Sequence, residues 1–431
     1  MSILIQNARI ITQNKNRECI EGDILIEENK ISKVGKNIPK KGVEVVISGV
    51  GKIIFPGLVN THTHVAMGLL RGYGEGLPLH RWLNEKIWPA EKKMNNEDIY
   101  WGAQFGILEM IRSGTTAFGE MYMFGIKHMS DAVIETGIRG VLAKGVYDLP
   151  QSRSVESEIK ELKHKIEQIK ELNNSRVQMA VAAHSPYACS EELLVAAKEV
   201  ANEEDLLFHI HVSETREEVF GLLDKVGMRP VEYLEKLGLA DSRSLFAHMG
   251  WVTKKEIAIC GKHKVNTANC PVSNLKLATG AISPVAELDE AGANVTLGTD
   301  GAASNNSLNM LETTKSALLM QTHKYWDPQR WSEEKAWDAA TINGAKTFKL
   351  NSGSIEEGKL ADLVIIDAKA ANVLPLHKNL RSIIYSINPA NITDVVIDGK
   401  FVMQNRKIIS VDEEKVLEKA AEVAHKLIGR E

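Results

Sequence analysis

Residues 177–212 read VQMAVAAHSPYACSEELLVAAKEVANEEDLLFHIHV. An apolar run ends in His184, a turn leads to Ser190, a segment of helical period follows, and a second apolar run ends in His211. Short apolar runs between turn signals read as strands buried on both faces. Ser190 followed by Glu191 and Glu192 reads as a helix N-cap with acids that complement the dipole. The same alternation extends both ways: LVNTHTH (58–64), TTAFGEM (115–121), GVLAKGV (140–146), SLFAHMG (244–250), VNTANC (265–270) and NVTLGTD (294–300) are the other strand-like runs. Helical segments separate them, among them NNEDIYWGAQFGILEMIRSG, which Asn95 or Asn96 would cap. Eight such runs predict an α/β fold of the (β/α)8 TIM-barrel type rather than a doubly wound sheet, because the count closes at eight.

Outside this region the pattern changes. SILIQNARII, EGDILIEENKISKVG and EVVISGVGKIIFPG alternate apolar and polar positions before residue 58, and GSIEEGKLADLVIIDAK and NITDVVIDGKFVMQNRK do so after about 353. Short antiparallel strands are expected there, followed by an amphipathic helix over about 411–428. The two ends are expected to form one small composite β-sandwich domain, 1–57 plus 353–431, on a barrel of 58–352.

Composition narrows the function. With 52 Lys+Arg against 56 Asp+Glu and a net charge of −4, the chain lacks the basic footprint of a nucleic-acid binder. The four cysteines are scattered without a C-x-x-C pair, so neither a zinc ribbon nor a disulfide framework is expected. No apolar stretch long enough to span a membrane and no secretory leader is apparent, which leads us to expect a cytoplasmic protein. A small neutral molecule is the expected partner.

In a barrel of this type chemistry sits at the C-terminal ends of the strands. Those ends carry His62 and His64 on the first strand, His184 on the fourth, His211 on the fifth, His248 on the sixth and Asp300 on the eighth. The strand period of two puts His62 and His64 on one inward face. An H-x-H pair alone is commonly structural; converging with four other strand-end residues it becomes a metal-site candidate. Three imidazoles and a carboxylate suit zinc with a position left open for water, and they suit iron equally. His209 lies one inward position deeper than His211 and is expected to be a hydrogen-bonded residue of the barrel interior. Glu214 follows His211 by three residues and can carry a proton beside a metal, although Ser213-Glu214-Thr215 also has the character of a helix cap. Glu91, in the connection after the first strand, suits sugar hydroxyls or else is an exposed helix-start residue. Glu120 suits a structural role as well as a catalytic one.

PGLVNTHTHVAMGLLRG, HSPYACS, HVSET, CPVSNLKLATGAISPV and VTLGTDGAASNNSLNM resemble the amidohydrolase superfamily, in particular its 5′-methylthioadenosine/S-adenosylhomocysteine deaminase branch. The similarity runs the length of the chain. It implies one zinc ion per subunit held by His62, His64, His211 and Asp300, and hydrolytic loss of the amine from C6 of an adenine nucleoside. It further implies that Glu214 delivers a proton to ring N1 and that Asp300 and His248 orient and deprotonate the water. By the same resemblance His184 and Ser304 contact substrate, Glu91 holds the ribose, and the protein forms a homo-oligomer of undetermined size.

One position departs from the pattern. The third strand carries Lys144 where the branch leads us to expect an arginine for the amino-acid tail of S-adenosylhomocysteine, with Arg153 nearby in the following loop. Lysine cannot reproduce the bidentate grip of arginine on a carboxylate, so compact 5′-substituted adenosines are favoured, as in archaeal 5′-deoxyadenosine deaminases. A metal-bridging carbamylated lysine is expected on the fourth strand in binuclear relatives, and VQMAVAAH offers none there. Guanine or cytosine deamination, s-triazine hydrolysis and an inactive barrel scaffold are the alternatives. Glu214 favours deamination among them and Glu91 favours a ribose-bearing substrate.

Overall fold

The computed structural model describes residues 1–149 and 153–430. Strands β1 (Ser2–Ile11), β2 (Cys19–Glu27), β3 (Lys30–Gly35), β4 (Val45–Ser48) and β5 (Lys52–Pro56) precede the barrel. The barrel strands are β6 (Leu58–Thr63), β7 (Thr115–Tyr122), β8 (Arg139–Val146), β9 (Val177–Ala183), β10 (Phe208–Val212), β11 (Ser244–His248), β12 (Asn266–Asn269) and β13 (Asn294–Leu297). All are parallel and follow one another in chain order. The seam between β13 and β6 closes through side chains and strand ends: Thr61 Oγ1 donates to the carbonyl of Leu297 (2.9 Å), and the Asp300 N–H donates to the carbonyl of His62 (2.9 Å).

Many inward positions are small, among them Ala117, Ala143, Ala180, Ala182, Ala247 and Ala268, and they pack with Val59, Met121, Val141, Leu245 and Phe348. The outward positions, among them Phe118, Leu142, Val181, Phe208 and Phe246, are buried under the helices. Caps set where those helices begin. Ser190 accepts from the Leu193 N–H, and Asn95, not Asn96, closes a capping box with Asp98.

The two chain ends meet in one sheet. Strands β14 (Leu363–Asp367), β15 (Ile392–Ile397), β16 (Lys400–Gln404) and β17 (Lys407–Ile408) continue it, and β14 pairs antiparallel with β5 through Ile365 and Ile54. Ile24, Ile26 and Ile31 from one end and Leu363 and Val396 from the other share a single apolar core, and the two ends form one nine-stranded sheet among the described residues where two faces of a sandwich were expected. The expectation of purely antiparallel strands fails at two places, since β1 pairs parallel with both β4 and β5. Strand β2 already occupies one edge of β1 as a hairpin partner. The chain crosses after β3 to the free edge and arrives there in the direction of β1.

The helix Glu413–Gly429 buries Val416, Ala420, Val423 and Leu427, spaced three or four apart, in the barrel's main core. It is fastened to the helix Asn96–Arg112 by an Arg112–Glu413 ion pair. At the start of β8, the buried Arg139 bridges barrel and sheet, donating to Asp362 (2.8 Å) and Asp398 (2.7 Å). Among the described residues no helix is long and apolar enough to cross a membrane.

Candidate active site

The strand ends bring the predicted histidines and Asp300 to one mouth. Ring centroids lie 4.9 Å apart for His62 and His64, 4.9 Å for His62 and His211, 5.3 Å for His62 and His248, and 5.0 Å for His184 and His211. His248 (φ 74°), Asp300 (φ 62°) and Ser213 (φ 54°) have left-handed backbone, which re-aims these strand ends into the bowl. Such conformations are costly for non-glycine residues and persist where the surroundings impose them.

The outer nitrogens of three rings are committed. His64 Nδ1 lies 2.6 Å from the carbonyl of Met121, and His211 Nδ1 lies 2.7 Å from that of His184. A carbonyl only accepts, so both Nδ1 atoms carry hydrogen and each neutral ring presents the lone pair of Nε2 to the bowl. His62 Nδ1 meets His209 Nε2 at 2.9 Å, and His62 Nε2 is buried without any hydrogen-bond partner. His209 is thus the interior hydrogen-bonding residue that its position in the sequence predicts.

Asp300 Oδ1 lies 3.2 Å from His64 Nε2 and 3.5 Å from His62 Nε2, and His211 Nε2 lies 3.4 Å from His64 Nε2. One ligand atom each from His62, His64 and Asp300 fall within 4.8 Å of one another, and the same holds for His62, His211 and His248. An orphaned buried imidazole nitrogen facing a carboxylate and two more imidazoles is the donor set of a metal centre. Burial opposes a charge on His64, yet hydrogen bonding and attraction to Asp300 lift its pKa to about 9. Protons therefore compete with a metal for that nitrogen.

Asp300 Oδ2 accepts from Ser273 (2.6 Å) and Ser304 (2.8 Å). Burial would raise the pKa of Asp300, but His62 and His64 hold it well below the ordinary carboxylate value. Glu214 goes the other way, raised well above that value by burial and by the charges of Asp300 and Glu218. Its Oε2 lies 3.7 Å from His248 Nε2. Asn274 Nδ2 donates to His248 Nδ1 (3.1 Å), which leaves the hydrogen of the neutral ring on Nε2, toward Glu214. Burial lowers the pKa of His248 to about 3 and that of His184 to about 4. The cap expected at Ser213–Thr215 is also present, with Thr215 rather than Glu214 accepting from the helix N–H.

A cavity of about 480 Å³ opens over this cluster. His64, His184, His211, Glu214, Asp300, Ser304 and Glu91 all reach it, and Trp82, Trp88, Met94 and Met121 supply apolar wall. Glu120 is turned away from it; its carboxylate accepts from Thr63 Oγ1 (2.7 Å) and the Val65 N–H (2.9 Å) behind His64.

The expectation for Lys144 needs correcting. The inward residues of β8 are Val141 and Ala143, so Lys144 is out of phase with them and points to the helix Val155–Lys170, where it faces Glu158 (3.7 Å) and Glu161 (3.8 Å). It reaches neither the cavity nor the donor cluster. Arg153 does line the cavity, with its guanidinium 4.7 Å from the Tyr147 ring and paired to Glu158 at 2.7 Å. Sequence reading missed Tyr122, Ser273 and Asn274. Asn274 stands four residues before Ala278 in a motif whose resemblance was recognised, and Tyr122 directly follows Met121; neither spacing names a partner.

Comparison with known proteins agrees with this geometry. The model of the amidohydrolase family matches residues 53–402. A 5′-deoxyadenosine deaminase of Methanocaldococcus jannaschii is 43% identical over 424 residues, covering 98% of each chain. The 5′-deoxyadenosine deaminase of Methanothermobacter thermautotrophicus is 40% identical over 428 residues, 99% of each. Among solved structures, an adenosine deaminase from Xanthomonas campestris with bound zinc superposes with a TM-score of 0.94 at 30% identity, covering 99% of both chains. An atrazine chlorohydrolase from Arthrobacter aurescens complexed with zinc gives 0.92 at 25% identity, covering 98% of this chain and 100% of that one. By its matched length, its relatives and its barrel, the chain belongs to the amidohydrolase family.

Proposed function

We propose that the protein is a zinc-dependent aminohydrolase that converts adenine nucleosides with compact 5′-substituents, 5′-deoxyadenosine foremost, to the inosine analogue and ammonia. The observation that carries this reading is geometric: the buried carboxyl of Glu214 lies 3.7 Å from His248 in the same bowl as the ring nitrogens of His62, His64 and His211 and the carboxylate of Asp300, and burial raises its pKa. A family whose relatives here are 5′-deoxyadenosine deaminases supports the substrate class. His62, His64, His211 and Asp300 would hold the metal. When bound, it supplies Lewis-acid activation of water, lowering the water's pKa toward about 7.

The chain's own groups do the rest. Glu214, as an acid, donates to N1 of the ring, which makes C6 electrophilic. Asp300, held by Ser273 and Ser304, would take up the water's proton, and His248, whose Nδ1 accepts from Asn274, would orient the water through its Nε2–H. Glu91 accepts hydrogen bonds from ribose hydroxyls, and the apolar wall excludes water around the base. A cytoplasmic homo-oligomer is part of the same proposal, on the family resemblance.

The experiment is kcat/KM for ammonia release across 5′-deoxyadenosine, 5′-methylthioadenosine, adenosine and S-adenosylhomocysteine. Preference for the compact substrates over S-adenosylhomocysteine by more than about tenfold is expected, a margin of about 1.4 kcal/mol in transition-state stabilisation. Turnover of chloro-s-triazines without any nucleoside turnover would refute the proposal.

A further inference from the structure

Tyr122 closes β7 with a side chain only 2% exposed, and its hydroxyl donates to Glu91 Oε1 at 2.7 Å. Glu91 comes from the connection between β6 and β7 and Tyr122 from the end of β7, and they meet at the cavity wall. Glu91 needs such an anchor. It ends the helical segment 79–91, whose middle turn, Leu83–Ile87, is π-helical. Tyr122 by contrast stands on a barrel strand, and its ring packs on Phe124 (5.1 Å) with Met94 Sδ 3.5 Å from the hydroxyl. The second carboxylate oxygen of Glu91 has no protein partner among the described residues and is not sealed from the cavity. An oxygen with two lone pairs, fixed in place, matches two adjacent hydroxyls.

We infer that Tyr122 is a positioning residue: its phenol pins one oxygen of Glu91 so that the other meets the substrate, and this arrangement selects for a vicinal diol on the sugar. The inference rests on the proposed role of Glu91 as the sugar-binding group. Ionisation supports it. Burial raises the pKa of Glu91 to about 7, while the Tyr122 hydrogen bond and the charge of His64 pull it down. The other ionisable groups facing the pair are His184, Lys92, Arg153, Glu214 and Asp300 around the cavity, and Glu120 behind Tyr122. Losing the phenol therefore drives Glu91 toward its protonated form at neutral pH, where it binds a diol poorly.

The test is Tyr122→Phe in the metal-loaded enzyme, with 5′-deoxyadenosine and with 2′,3′,5′-trideoxyadenosine, which lacks the diol. KM for 5′-deoxyadenosine should rise about tenfold with kcat within about twofold, as expected for loss of a hydrogen bond to a charged group that acts in binding. KM for the trideoxy compound should not move. The pH below which KM for 5′-deoxyadenosine climbs should shift upward, and in a Glu91→Gln background Tyr122→Phe should have no further effect. Equal rises for both substrates, or an unchanged pH dependence, would overturn the inference. A wild-type enzyme that does not distinguish the two substrates would instead remove the role of Glu91, and the inference with it. Tyr122→Leu, which deletes the same hydroxyl, replaces the phenylalanine variant if that one loses metal or fails to fold.

Discussion

Around Glu214, burial and the nearby carboxylates of Asp300 and Glu218 push the carboxyl pKa upward. Asp300, a few ångströms from two imidazoles, is pushed the opposite way. Two acids pushed apart in pKa mark a proton donor and a proton acceptor. Replacing Asp300 by Asn should lower metal content and rate together, which metal analysis alongside kinetics checks. Lys144→Met should leave the ranking of substrates unchanged, because Lys144 faces a helix, whereas Arg153→Ala should change turnover of S-adenosylhomocysteine more than that of 5′-deoxyadenosine. The panel of kcat/KM values decides both. Acidifying the assay below about 7 should raise KM for 5′-deoxyadenosine as Glu91 takes up a proton; a flat profile would contradict that. That the histidines His62, His64, His184, His211 and His248 converge was legible because each lies at the end of a strand-like run. Lys144 was misread because strand phase, which only the pairing of β8 fixes, decides whether a residue faces the bowl. Tyr122 and Glu91 were not legible as a pair, since nothing local links a strand end to a residue 31 positions earlier.

Among the elements, the seam between β13 and β6 leaves no room for a side chain at Gly298. A Cβ on Gly298 would lie 2.7 Å from His62 Cβ and 3.0 Å from its backbone nitrogen, too close without movement of the strand that carries two donor histidines. Gly298→Ala should therefore destabilise the protein by about 1–3 kcal/mol, the usual cost of overpacking, and weaken metal binding as well. Denaturant unfolding with and without metal separates the two effects. The eight barrel strands and the Ser190 cap were readable from apolar runs and cap chemistry. The parallel pairing of β1 with β4 and β5 was not, because an alternating strand pattern does not record the direction of its neighbour.

At the scale of the whole molecule, two chain ends more than three hundred residues apart build one sheet, and Arg139 ties that sheet to the barrel through Asp362 and Asp398. Removing Asp362 leaves the buried Arg139 with Asp398 alone and its Nε without an acceptor, so Asp362→Ala should cost about 1–3 kcal/mol in denaturant unfolding, more than an exposed pair would. That the ends join was suggested by their shared alternation; the ionic joint itself pairs residues that no periodicity connects. The charge of −4, which first served to set nucleic acid aside, agrees with a nucleoside client that carries no phosphate. In the proposed function the assembly serves one acid, Glu214, placed beside a candidate metal site. The most direct measurement is therefore ammonia release from 5′-deoxyadenosine by the zinc-loaded wild type and by Glu214→Gln, with metal content determined on the same samples. The account predicts equal zinc and a loss of about 10²–10⁴ in kcat for the variant, the usual contribution of general acid catalysis. Normal turnover by zinc-loaded Glu214→Gln, or no ammonia from the zinc-loaded wild type, would contradict it.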